Sequence, residues 1–139
     1  MSDPGRHPAG GAARVPANCE LTLGMTCIDQ SKPGEAVWVM TPADHLANPV
    51  GMVQGGLLTA FAVTAMSGAV GYRRGQAQVA GSELKISFIK GAQVGRALTC
   101  RARVVGGGRR VAFLEAEISD SSNGLVAKAS STYLLDRGG

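Results

Sequence analysis

Two adjacent glycines, Gly55 and Gly56, open an apolar stretch that runs to Val70. If that stretch is a helix, its first N–H groups have no partner inside the helix, and its start carries partial positive charge. Glycine there lets a ligand approach the backbone closely. Such a group suits a carbonyl oxygen that gains negative charge under attack. The same two glycines would equally serve tight packing of a helix on a sheet. Polar side chains stand nearby. Asn48 and Gln54 precede the glycines, and Thr64 and Ser67 follow them. Gln54 can donate and accept hydrogen bonds but cannot titrate, so it can hold a carbonyl but cannot be a general acid. Asn48, before Pro49, also suits a simple turn. The Ser67 or Thr64 hydroxyl would need a base to become a nucleophile. None is visible, because no charged residue falls between Leu46 and Tyr72. The ordinary fate of Ser67 would be a bond to a carbonyl one helical turn back. Asp44 and His45 offer titratable groups just ahead of the glycines, or a solvated loop pair.

These residues need elements to hold them. Residues 1–18 are rich in Gly, Ala and Pro and read as a disordered tail, leaving residues 19–139 as one domain. Leu21 to Ile28 suits a strand or a short helix. Pro33-Gly34 marks a turn, and Ala36 to Met40 a short strand. The helix is expected from about Gly55 to Val70, with Gly71 as its stop. Beyond it, four segments alternate with period two, around Leu84–Phe88, Leu98–Val104, Ala112–Ile118 and Leu125–Leu134. Glycine-rich punctuation between them implies an antiparallel meander. Folding 98–105 against 111–118 puts Arg101 and Arg103 near Glu117 and Glu115, a favourable charge pattern on a solvated face. The expected class is α+β, with one antiparallel sheet and one central helix covering its apolar face.

Composition removes several functions. The chain has 139 residues, a net charge of +4 and only 4% aromatic residues. Aromatic platforms for single-stranded nucleic acid are therefore not expected, and no basic run marks a nucleic-acid surface. Cys19, Cys27 and Cys100 have neither disulfide parity nor zinc spacing, so no metal is expected and reduced thiols are. No secretory signal pattern is visible, and the expected location is cytoplasmic. The uncharged stretch is long enough to span a bilayer. Its Asn, Gln, Thr and Ser residues and its small side chains instead suit a helix buried in a soluble fold.

The run Asn48-Pro49-Val50-Gly51-Met52-Val53-Gln54-Gly55-Gly56 and the small-residue helix behind it resemble the hotdog fold. They look most like its acyl-CoA thioesterases of the PaaI type. The stretch from Gly108 to Glu117 looks like the family's hairpin. The resemblance covers most of the chain beyond residue 20. It implies a dimer whose sheets join edge to edge, or a tetramer, with active sites between subunits. It also implies hydrolysis of an acyl-CoA thioester, with CoA as part of the substrate and no separate cofactor. The carbonyl would be polarised by the Gly55 N–H, with Asn48, Gln54 and Ser67 completing the catalytic set. Val63 and Thr64 would lie against the substrate, and Arg109, Arg110 and Lys90, with Arg73 or Arg74, would pair with CoA phosphates.

One departure matters. Relatives of the hydrolytic type usually carry Asp or Glu where this chain has Val63. Valine cannot activate water. The resemblance therefore also admits a non-catalytic protein that binds acyl-CoA or an acyl chain. A hotdog hydratase fits less well, because those enzymes rely on His with an acidic partner.

Overall fold

The computed structural model describes residues 18–71, 78–122 and 124–136. Arg73, Arg74 and the expected tail, apart from Asn18, lie outside them. The elements run α1 (Asn18–Leu23), β1 (Met25–Asp29), β2 (Glu35–Met40), α2 (Gly55–Val70), β3 (Gln78–Phe88), β4 (Leu98–Gly107), β5 (Val111–Asp120) and β6 (Gly124–Asp136). The segment from Leu21 to Ile28 resolves into both expected forms, since α1 ends and β1 begins within it. The central helix has the expected bounds, and Gly71 caps it with φ 86°, a backbone angle that glycine adopts without strain.

All six strands form one antiparallel sheet in the order β1-β2-β4-β5-β6-β3. This is the hotdog arrangement, a sheet curled around one helix. The expected meander holds for β4, β5 and β6. It fails for β3, which lies beyond β6 at the sheet edge, while β2 takes the place beside β4. The meander expectation rested on short connections, and β3 is joined to β4 by residues 89–97, longer than a tight hairpin turn. Its alternating pattern fits either position. The hairpin register is as expected, with Arg101 opposite Glu117 and Arg103 opposite Glu115. The Arg103–Glu115 pair closes to 3.5 Å, whereas Glu117 pairs with Lys128 across β6 at 3.7 Å.

Strand register explains how the helix seats. Ala36, Ala102, Ala116 and Ala129 are mutual neighbours across β2, β4, β5 and β6, and all four are buried. This row of methyl groups forms a shallow floor. The helix packs mainly on β4, β2 and β5 and supplies Leu58, Phe61, Ala62, Ala65, Met66 and Ala69 to the core. Flanking the alanines, the row Trp38–Cys100–Ile118 fills one side of the helix and Val104–Leu114 the other. Gly68 makes a close approach, with Gln30 Nε2 2.8 Å from where a Cβ would be. A Cβ there would sit 3.0 Å from Trp38 Nε1 and 3.4 Å from the Ala36 Cβ. The helix is less enclosed than its composition suggests, since Val63 on its far side is 39% exposed.

Enlarging the floor should lift the helix. Ala116→Leu is expected to lower stability by about 1–3 kcal/mol through overpacking, measured as the urea midpoint. An unchanged midpoint would show that the alanine row does not set the helix-to-sheet distance.

Candidate functional site

The loop ahead of α2 is held by its own backbone and by Asn48. A short 3-10 turn, Asp44–Leu46, leads into it. The Asn48 Oδ1 accepts the N–H groups of Val50 and Met52, both at 3.0 Å. Its carbonyl accepts the Gly51 N–H, and Gly51 takes φ 84°. Asn48 is thus the turn-forming residue that its place before proline suggested, with its side-chain oxygen engaged and its NH₂ group left over. The Gln54 N–H donates to the Leu46 carbonyl and the Val53 N–H to the Ala92 carbonyl. The helix start is therefore pinned to the 3-10 turn on one side and to the β3–β4 connection on the other.

Gln54 is the helix cap. Its side-chain oxygen accepts the Gly56 N–H, satisfying one of the orphan donors of the first turn. The Leu57 and Leu58 N–H groups go to the Gln54 backbone carbonyl. Among the described residues the Gly55 N–H has no hydrogen-bond partner. One donor is thereby left at the positive end of a sixteen-residue helix, which suits a carbonyl oxygen or an anion. Phe88, at the end of β3, lies over this glycine. Its ring would be 3.0 Å from a Cβ at position 55, and it is 53% exposed. Val50, Val63 and Ile89 are also exposed apolar side chains. Phe88 was not among the residues singled out by sequence. Its inward place in the alternation reads as core, and only the end of the strand leaves it uncovered.

Further along the helix, one and two turns past the first core contacts, Val63 and Ser67 share a face. The Tyr133 hydroxyl donates to the Val63 carbonyl at 3.2 Å and lies 3.0 Å from the Ser67 Oγ. Tyr133 is 2% exposed. Burial raises its pKa and the Ser67 bond opposes that shift, so the phenol stays protonated at neutral pH. Sequence reading missed this residue. A tyrosine in an inward strand position needs a partner for its hydroxyl, which was the available signal. Ser67 bonds to Tyr133 rather than to the preceding turn. Thr64 is half-buried beside Val63.

The structure separates the remaining candidates. Lys90 follows Phe88 and donates its backbone N–H to Val126, at the same end of the sheet as Gly55. Arg109 and Arg110 lie in the turn between β4 and β5. That is the far end of a ten-residue strand, or about 30 Å away along the sheet. Within one chain they do not meet Gly55. Asp44 and His45 are exposed on the 3-10 turn. Burial pushes the Cys100 thiol up to about 12, which leaves it inert as a nucleophile. Among the described residues there is no cluster of three His, Cys, Asp or Glu that could hold a metal, and no helix long and apolar enough to cross a membrane. A cavity of about 430 Å³ opens between the charged side chains of the outer sheet face, including Arg101, Arg103 and Glu117. It lies on the opposite side of the sheet from the helix.

Residues 50–127 match the Thioesterase superfamily. The chain belongs to that superfamily. The match includes the end of the loop from Val50, the glycines and the whole of α2. Solved structures agree. The chain is similar to the PaaI protein of the Escherichia coli phenylacetic acid degradation operon, at 27% identity and TM-score 0.78, over 84% of this chain and 83% of that one. It is also similar to a putative thioesterase, a phenylacetic acid degradation-related protein of Ralstonia eutropha. There the identity is 32% and the TM-score 0.79, over 89% and 93% of the two chains. A conserved protein of Pseudomonas aeruginosa matches at 28% identity and TM-score 0.79, over 92% and 99%. No curated protein sequence matches the chain.

Truncating the cap should loosen this thioesterase-type helix start. Gln54→Ala is expected to cost about 1 kcal/mol, seen as a lower urea midpoint. No change would mean that the Gly56 N–H is equally well served by water.

Proposed function

We propose that this member of the thioesterase superfamily hydrolyses an acyl-CoA thioester, with the carbonyl polarised by the Gly55 N–H. The observation that carries the reading is the division of labour at the helix start. Gln54 takes the Gly56 donor and leaves the Gly55 donor for a ligand. A fixed donor aimed at a developing oxyanion contributes about a hundred- to a thousandfold in rate. Lys90, at the same end of the sheet, suits a CoA phosphate. The phenylacetic-acid names of two similar proteins make arylacetyl thioesters the first to try.

The site is completed by a second copy of the chain. Position 63 lies eight residues beyond Gly55, about 12 Å along a helix axis, too far for both to act on one carbonyl within one chain. Two helices running antiparallel bring Gly55 of one copy opposite position 63 of the other. The outer edge of β3, unpaired among the described residues, offers backbone groups for joining two sheets. Such a dimer also covers the uncharged outer face of α2.

A second reading has its own observation. Val63 offers no base, and no titratable group stands on α2. A protein that binds acyl-CoA without cleaving it has the same fold and the same helix start. Release of free CoA thiol from short, long-chain and aryl acyl-CoAs separates the two. Hydrolysis predicts turnover above the uncatalysed control for at least one class. Saturable binding with no turnover of any would replace hydrolysis by binding.

The missing base should be restorable. Val63→Asp is expected to raise the hydrolysis rate by about a hundred- to ten-thousandfold, the usual worth of general-base catalysis. The carboxyl must be ionised to act. The variant's rate should therefore fall as pH drops through the carboxylate range near about 4, a limb the parent protein lacks at this position. No gain in rate would show that position 63 does not face the scissile carbonyl.

A further inference from the structure

We propose that Tyr133 is a positioning residue that fixes the Ser67 hydroxyl as a hydrogen-bond acceptor for the attacking water. The inference deepens the hydrolytic reading and rests on it. Its basis is proton counting. Tyr133 has one hydroxyl proton, and that proton goes to the Val63 carbonyl. Either hydroxyl could donate across the 3.0 Å contact between Tyr133 and Ser67, and both bonds of the phenol form together only when the serine proton points at the phenol oxygen. A hydroxyl has one proton and two lone pairs. With its proton committed, Ser67 Oγ can only accept.

A free helical serine would donate to the carbonyl four residues back. Here the Ser67 hydroxyl bonds to Tyr133 instead, and Tyr133 donates to that carbonyl. The side chain of a helical residue leans toward the helix N-terminus and over the turn that precedes it. Ser67 therefore leans toward position 63, the place the two-copy arrangement sets opposite the scissile carbonyl. A water that donates one proton to Ser67 Oγ turns a lone pair away from the serine and toward that carbonyl.

The step then balances without a strong base. The water oxygen bonds to the carbonyl carbon while the carbonyl electrons move onto the oxygen held by the Gly55 N–H. The tetrahedral adduct collapses, the carbon–sulfur bond breaks, and the CoA thiolate leaves with the electron pair. The proton lost by the water ends on that thiolate, and the products are a carboxylic acid and free CoA thiol. Ser67 orients the water throughout and is neither acylated nor deprotonated. The raised pKa of the Tyr133 phenol keeps its proton in place across neutral pH.

The test uses the acyl-CoA that the parent protein turns over fastest, with thermal melts to verify the fold. Tyr133→Phe removes only the hydroxyl and frees Ser67 to bond back to Val63. The kcat should fall about five- to tenfold, the worth of one hydrogen bond, with KM unchanged. Ser67→Ala should do the same, and the double variant should be no slower than Ser67→Ala alone. Ser67→Thr keeps a hydroxyl beside Tyr133 and should retain most of kcat. A purely structural Tyr133 would instead lower the melting temperature, leave kcat intact in the folded protein, and multiply with Ser67→Ala. Either of the last two results overturns the inference, as does an undiminished kcat in Ser67→Ala, which is decisive even if Tyr133→Phe fails to fold. If the parent protein turns over no thioester, the hydrolytic reading fails first and this inference with it.

Discussion

The structure depends on how closely one helix lies on one sheet. Four alanines in register form the floor, and Gly68 opens a close point of contact. Van der Waals attraction falls off steeply with separation, so a floor of methyl groups and a helix of small residues gain from every tenth of an ångström. The same closeness fixes everything else. It sets Gly55 under the Phe88 ring, and it brings the β6 tyrosine within reach of the Ser67 hydroxyl. With larger side chains on either surface, the helix would ride higher and these contacts would be lost.

A helix with no charged residue has a second consequence. The sheet covers one side, and the other side exposes Gly56 and Val63, which have nothing to hold solvent strongly. A helix that is apolar all round is normally enclosed. Here the chain encloses half of it. That agrees with a site completed by a second copy, in which the half-covered face and the free donor at its start belong to one arrangement.

Much of this was legible in the sequence, and the limit has a physical form. Period-two alternation marked the strands because each has one buried face. The helix bounds followed from Gly55 and Gly71, where backbone demands are local. The Arg101–Glu117 and Arg103–Glu115 register followed from a short hairpin. The place of β3 did not, because nothing in an alternating strand says which neighbour it takes. At the site, Asn48 as a turn residue and Gln54 at the helix start could be read from their neighbours. Tyr133 could not, since its partner Ser67 lies 66 residues away. Arg109 and Arg110 looked eligible for the same site as Gly55 because sequence carries charge but not the length of the strands that separate them.

Hydrogen-bond distribution at the helix start is where fold becomes chemistry. Gln54 satisfies the Gly56 donor, and the Gly55 N–H at the positive end of α2 has no partner among the described residues. The central claim is that this group bonds to the thioester carbonyl. The most direct measurement is the infrared stretch of a carbon-13-labelled thioester carbonyl in an acyl-CoA bound to the protein. Without a carboxylate at position 63, the bound thioester should persist long enough to record. A stretch shifted to lower frequency than that of the free thioester in water is the predicted result. A bound carbonyl at the free frequency, or above it, would contradict the account.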